Sequence, residues 1–193
     1  EFLSASSPLV LGASLSLICK PFGLGTAETI ENWCEDPSFE VAGTALADWA
    51  ENLTGGITAT TARDTTQAKW GDASLKINIT NSIGGADAQR TMRTAAASFA
   101  SGDVVSCSCW VYVTLFGAGM SVFRLRLTFE SAANGLLATH DVDESATNTA
   151  FTLITVLNKT APANTDHVNL TVSGITLSSP TGATGTAYFD NVM

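Results

Sequence analysis

Charge is scarce in this chain and weighted to one sign. Charged residues make up 14% of 193, and Asp and Glu outnumber Lys and Arg by 18 to 9. The resulting net charge of -9 excludes a nucleic-acid backbone as partner, since binding there depends on clustered cations that displace counterions. Histidine occurs only as His140 and His167, neither inside a nucleophile motif, so no histidine-based catalytic centre is expected. Long hydrophobic runs are also missing. The longest apolar-leaning stretch, residues 8–19, is broken by Gly12, Ser14 and Ser16 and has no basic leader, which argues against a membrane span and a signal peptide. Cysteine appears four times without the paired spacing of a zinc site. Cys107 and Cys109 fall on the same side of one strand, roughly 6–7 Å apart along it and beyond disulfide reach, and are expected as buried thiols. A bridge from Cys19 to Cys34 remains open.

What is abundant is the chemistry of sheets and turns. Hydrophobic residues reach 45%, enough for a sizeable core, and much of the polar remainder is Thr, Ser, Asn and Gly. Short alternating segments separated by turn residues predict an all-β, two-sheet antiparallel sandwich over residues 31–193. An extended N-terminal arm, residues 1–30, precedes it. The arm either packs along its own domain or adds to the sheet edge of a neighbour. The chain begins at Glu1 rather than Met and ends inside a strand pattern, so a processed chain or a piece of a longer one is expected. No internal repeat is evident. The Asn-X-Thr triplets at Asn52, Asn78, Asn158 and Asn169 are expected by chance in so Thr-rich a chain.

Strands are predicted at residues 57–62, 75–79, 104–115, 122–130, 151–157, 167–177 and 186–193. In residues 104–115, Val105, Cys107, Cys109, Val111 and Val113 share one face, and Trp110 and Tyr112 lie on the other. In residues 122–130, Phe123, Leu125, Leu127 and Phe129 oppose Arg124, Arg126 and Glu130. If the two strands pair as a hairpin through Gly117-Ala118-Gly119, then Trp110, Tyr112, Arg124, Arg126 and Glu130 share one solvent face. Residues 141–144, Asp-Val-Asp-Glu, read as a solvated loop, and a glycosidase-like pairing of Glu130 with Asp143 is set aside because nothing perturbs either carboxylate. The carboxylates Glu35, Asp36 and Glu40, crowded around Phe39, read either as an acidic turn opening a strand or as ligands for a hard cation such as calcium.

The order Asp36-Pro37-Ser38-Phe39-Glu40, Trp49, Trp70-Gly71 with Ser74-Leu75-Lys76, Ser108-Cys109-Trp110-Val111, and Tyr188-Phe189-Asp190-Asn191-Val192 resembles the β-jelly-roll carbohydrate-binding modules of families four, nine and twenty-two. These belong among the galactose-binding-like sandwiches, and the resemblance spans residues 31–193. It implies a structural calcium held by Glu40 and Asp190, with Asp36 standing where the family usually has Asn. It also implies a sugar polymer laid across the concave sheet, where Trp110, Tyr112, Arg124, Arg126 and Glu130 supply stacking and hydrogen bonds. Trp33, Trp49 and Trp70 take positions that are mostly packing in the family.

Three functions follow as expectations. The first is a non-catalytic virion surface protein, a phage capsid decoration or tail component that meets other virion subunits through residues 1–30 and touches host glycans. The second is a carbohydrate-binding module of a secreted glycoside hydrolase. The third is a purely structural cement protein, with Trp110 and Tyr112 as subunit contacts.

Overall fold

The computed structural model describes Cys34, residues 37–40, Leu46 and residues 48–82, 84–178 and 182–193. The expected arm, residues 1–30, and Trp33, Glu35 and Asp36 lie outside the described residues. Ten strands run in order: β1 (Trp49–Leu53), β2 (Thr58–Asp64), β3 (Ser74–Asn81), β4 (Asp87–Arg93), β5 (Val104–Phe116), β6 (Met120–Glu130), β7 (Leu136–Glu144), β8 (Thr152–Thr160), β9 (His167–Thr176) and β10 (Gly185–Asp190). They form two five-stranded sheets, β1-β4-β9-β6-β7 and β2-β3-β10-β5-β8, with every described pairing antiparallel.

Alternation of side chains makes this packing possible. In β5 the row Val105, Cys107, Cys109, Val111 and Val113 is buried, and in β6 so is the row Phe123, Leu125, Leu127 and Phe129. These rows meet across the sandwich together with Leu75, Ile77 and Ile79 of β3, Val168, Leu170 and Val172 of β9, and Phe189 of β10. Each such side chain contributes about 1.5–3 kcal/mol when fully buried. Phe123 packs edge-on to Phe116 and Phe189, with centroids 6.3 and 6.4 Å away. Opposite it, Gly174 permits close approach of the sheets: a Cβ there would stand 2.8 Å from Ile79 Cδ1 and 2.9 Å from Phe123 Cε1. Cys107 and Cys109 are buried free thiols, as expected. Burial pushes the Cys107 thiol up to about 12 and raises Cys109 well above its ordinary value, so neither is a ready nucleophile.

The hairpin between residues 104–115 and 122–130 does not form. β5 lies between β10 and β8, β6 lies between β9 and β7, and the short turn at Gly117–Gly119 carries the chain from one sheet to the other. Either arrangement satisfies the same alternation, but only the crossing lets two aliphatic and aromatic rows bury each other. Gly117 is held there by its N–H donating to Thr184 O at 2.9 Å.

Other expectations change locally. Residues 141–144 are not a loop; they finish β7, whose Asp141 and Asp143 pair in register with Arg126 and Arg124. The last strand stops at Asp190, where Asn191 turns with φ 51°. The tail nevertheless stays docked: Met193 and Ser108 exchange backbone hydrogen bonds of 2.8 and 2.7 Å, and Val192 N–H donates to Pro37 O at 2.8 Å. The end of the chain therefore lies beside the Pro37–Glu40 segment. Phe39 is fully buried against Trp49, centroid separation 5.4 Å, but reaches the core from φ 57° and not from an extended strand.

Candidate functional site

The crossing between β5 and β6 divides the expected ligand set. Trp110 and Tyr112 stand on the outer face of the β2-β3-β10-β5-β8 sheet, whereas Arg124, Arg126 and Glu130 stand on the outer face of the other. They share no surface, because a sandwich whose inner faces are both apolar presents its two polar faces in opposite directions.

On the β1-β4-β9-β6-β7 face, cross-strand register puts Arg124 opposite Asp143 and Arg126 opposite Asp141. Each pair is bidentate, with N···O distances of 2.6 and 2.9 Å for Arg124–Asp143 and 2.8 and 2.9 Å for Arg126–Asp141. Arg124 Nη1 adds a diagonal pair to Asp141 at 3.0 Å. Burial favours the neutral Asp141 carboxyl, but the hydrogen bond and charge of Arg126 and the charge of Arg124 outweigh it and hold Asp141 below its ordinary range. Hydrogen bonding to Asp143 and to Asp141, respectively, raises Arg124 and Arg126. Beside this ladder, Thr128, Thr171 and Ser173 form a nearly covered hydroxyl floor, and Thr91 Oγ1 meets Thr171 Oγ1 at 2.9 Å. Asn169 Oδ1 is buried there with no hydrogen-bond partner among the described residues.

Glu130 closes one end of the ladder and is already engaged. Its Oε2 is 2.9 Å from His167 Nε2 and 4.0 Å from Arg93 Nη2, while His167 Nδ1 lies 3.1 Å from Asp166 Oδ2. Arg93 also contacts the His167 ring and Asn134 Oδ1. The His167 side chain is only 1% exposed. Neither that cluster nor the hydroxyl floor was legible in the sequence; the pairings of β9 with β4 and β6 create both.

On the opposite face the aromatic residues associate with one another. Tyr112 lies between Phe151 and Tyr188, with centroids at 5.4 and 6.3 Å. Lys76 sits 5.3 Å from the Tyr188 ring and 3.3 Å from Asp64. Lys69 Nζ stands 4.3 Å from the Trp110 centroid and 5.4 Å from that of Trp70. Trp49 is the packing residue the family pattern implies, but Trp70 is 55% exposed and is not. Trp70 leaves the core because the turn leading to β3 places it outside the sheet.

Glu40 and Asp190 grip that same turn. Asp190 Oδ2 accepts from Lys69 N–H at 2.6 Å and Trp70 N–H at 2.9 Å, and the Glu40 carboxylate accepts from Asp72 N–H at 3.0 Å and Ala73 N–H at 3.2 Å. A Cβ at Gly71, φ 69°, would collide with the Glu40 carboxylate. Asp190 is fully buried. Burial pushes its carboxyl up from the ordinary 3.8 and the Glu40 charge adds to this, against the N–H groups of Trp70, Lys69 and Asn191. Its Oδ1 has no well-formed hydrogen bond among the described residues. Two neighbouring carboxylates, one with an unsatisfied buried oxygen, suit a hard cation. Asp36 lies outside the described residues, and among those described no group of three or more His, Cys, Asp or Glu gathers as a metal site.

With this geometry in place, the fold class is plain: an all-β, two-sheet antiparallel sandwich, similar in fold to solved carbohydrate-binding modules. Carbohydrate-binding modules of the β-sandwich superfamily superpose with TM-score 0.60 at 14% identity, over 76% of this chain and 56% of that one. The enzymatically active domain of bacteriophage CBA120 tailspike protein 4 matches with TM-score 0.59 at 17% identity, over 84% of this chain and 21% of that one. A family 61 carbohydrate-binding module in complex with β-1,4-galactotriose matches with TM-score 0.51 at 12% identity, over 84% of this chain and 96% of that one. The chain thus spans about half of the first structure and a fifth of the second. No protein-family model matches the sequence, and no curated protein matches it.

Proposed function

We propose that this chain is the non-catalytic, glycan-binding jelly roll of a virion surface protein, a phage tail or capsid-decoration component. The observation that carries the glycan reading is the ladder of Arg124, Arg126, Asp141 and Asp143 beside the Thr128–Thr171–Ser173 floor. Planar groups fixed by their own ion pairs suit sugar hydroxyls, because little freedom remains to be lost on binding. The non-catalytic reading is supported by the same pairs. A glycosidase acid needs a raised carboxyl, and Asp141 is held in the opposite direction. The tailspike likeness supports the virion setting, and residues 1–30 are the proposed contact with neighbouring virion subunits. A module of a secreted glycoside hydrolase is the second reading, favoured by the likeness to a family 61 carbohydrate-binding module over 96% of that chain.

Screening neutral glycans on an array is expected to give binding by the wild type and its loss in an Arg124→Ala, Arg126→Ala double variant. If neither protein retains any glycan, a structural cement role replaces this reading. Native mass in solution, compared with a chain lacking residues 1–30, separates an assembly subunit from a monomeric module.

Calcium is part of the proposal. Glu40 and Asp190 would hold it, and its charge would offset the two carboxylates, one fully buried, that grip one turn.

A further inference from the structure

The turn between β2 and β3 is clamped through its backbone, and that clamping leaves two large side chains facing outward. With the N–H groups of Lys69 and Trp70 both fixed on Asp190 Oδ2, the Lys69 side chain reaches Trp110 of β5 and the Trp70 indole stands exposed. Lys69 Nζ is set between two indoles, 4.3 Å from the Trp110 centroid and 5.4 Å from that of Trp70. Leu153, paired in register with Trp110 on β8, extends the apolar surface and is 45% exposed.

Lys69 is one of three described Lys and Arg residues, with Arg63 and Lys159, that no carboxylate pairs, and of the three it alone stands against aromatic rings. Lys76, Arg90, Arg93, Arg124 and Arg126 each have a carboxylate within 4.0 Å, whereas no carboxylate among the described residues pairs with Lys69. Asp190 and Glu40, beneath the turn, direct oxygens at backbone N–H groups, and Asp64 is engaged by Lys76.

We propose that Lys69, Trp70 and Trp110 form a binding site for a hexuronic-acid-containing oligosaccharide. The C–H face of the pyranose packs on the exposed Trp70 indole, and the sugar carboxylate meets Lys69 Nζ. An ammonium flanked by aromatic rings is shielded from water on those sides, which strengthens its attraction for an anion arriving from the open side. The overall charge of -9 opposes long polyanions, so the site suits one carboxylate and not an extended charged run. This surface lies on the sheet opposite the Arg124–Asp143 ladder, and its occupancy does not depend on the ladder binding anything.

Calorimetric titration of the full chain with an aldotriouronic acid, a trisaccharide carrying a single glucuronic acid, and with its neutral methyl ester tests the site. The acid is expected to bind about tenfold more tightly than the ester, a difference of about 1.4 kcal/mol. Lys69→Gln is expected to erase that difference, and Trp70→Ala to weaken both ligands. Trp70 is exposed, so its variant is expected to melt as the wild type does. The Arg124→Ala, Arg126→Ala variant is expected to bind the aldotriouronic acid normally, which keeps failure of the ladder distinct from failure here. Equal binding of acid and ester, unchanged affinity in Trp70→Ala, or no binding of either sugar would overturn the site and leave Lys69 as a clasp on the turn only.

Discussion

Arg90 of β4 points inward, where an aliphatic residue is the rule. It sits at the margin of the sandwich and ties the sheets together. Its Nε donates to Thr61 Oγ1 at 2.7 Å, Nη1 to Trp49 O at 2.8 Å and Nη2 to Thr61 O at 3.0 Å, with Glu51 Oε1 at 3.3 Å. Burial pulls its guanidinium down from the ordinary value and Glu51 opposes the shift. Removing the fork takes a side-chain donor from two carbonyls and leaves the Glu51 carboxylate with Thr61 Oγ1 but no cation. Arg90→Ala is therefore expected to destabilise the fold by about 3 kcal/mol in urea unfolding. Arg90→Lys is expected to recover little, since one ammonium cannot span three acceptors. The same residue hid its strand: a charged side chain at an inward position breaks the alternation by which β4 would have been recognised. β1, exposed along four of its five residues, and β7, with carboxylates at two outward positions, escaped for related reasons.

At the scale of elements, the β6–β7 ladder is an acid-sensitive seam. Asp141 is depressed in the folded protein below its ordinary 3.8. Its stabilisation is thus present above that value and lost as pH falls through the lower, folded one. Asp141→Asn is expected to cost about 1 kcal/mol at pH 7, in keeping with a largely surface ion pair. The melting temperatures of variant and wild type are expected to converge as pH falls through the lowered, folded value of Asp141. A gap that persists in acid would mean that packing, and not charge, holds the seam. The arginines and Glu130 were legible from alternation alone. Their partners in β7 and β9 were not, because pairing between strands distant in sequence leaves no local pattern.

The whole molecule closes where its last strand meets the Pro37–Glu40 segment, and Asp190 reports on that closure. Its carboxyl is raised, so the folded state favours the protonated form; the associated stability is present in acid and lost as pH rises through the folded value. A bound cation reverses that penalty. Calcium is expected to raise the melting temperature at pH 7, chelation to lower it, and the difference to shrink as pH enters the carboxylate range. Asp190→Asn is expected to melt identically with and without calcium. A wild-type melt indifferent to chelation would remove calcium from the proposed function.

The residues themselves determined the all-β class, the inward rows of β3, β5 and β6, and the burial of Cys107 and Cys109, while the family resemblance implied that Glu40 and Asp190 lie together. Side-chain alternation and turn chemistry are local, and short motifs carried the resemblance. Only the tertiary structure decided which sheet each strand joined. It thereby parted Trp110 and Tyr112 from Arg124, Arg126 and Glu130, and it brought Trp70 out beside Lys69. A strand with one apolar face is equally satisfied beside its neighbour or across from it, and the choice rests on how two complete sheets fill the space between them.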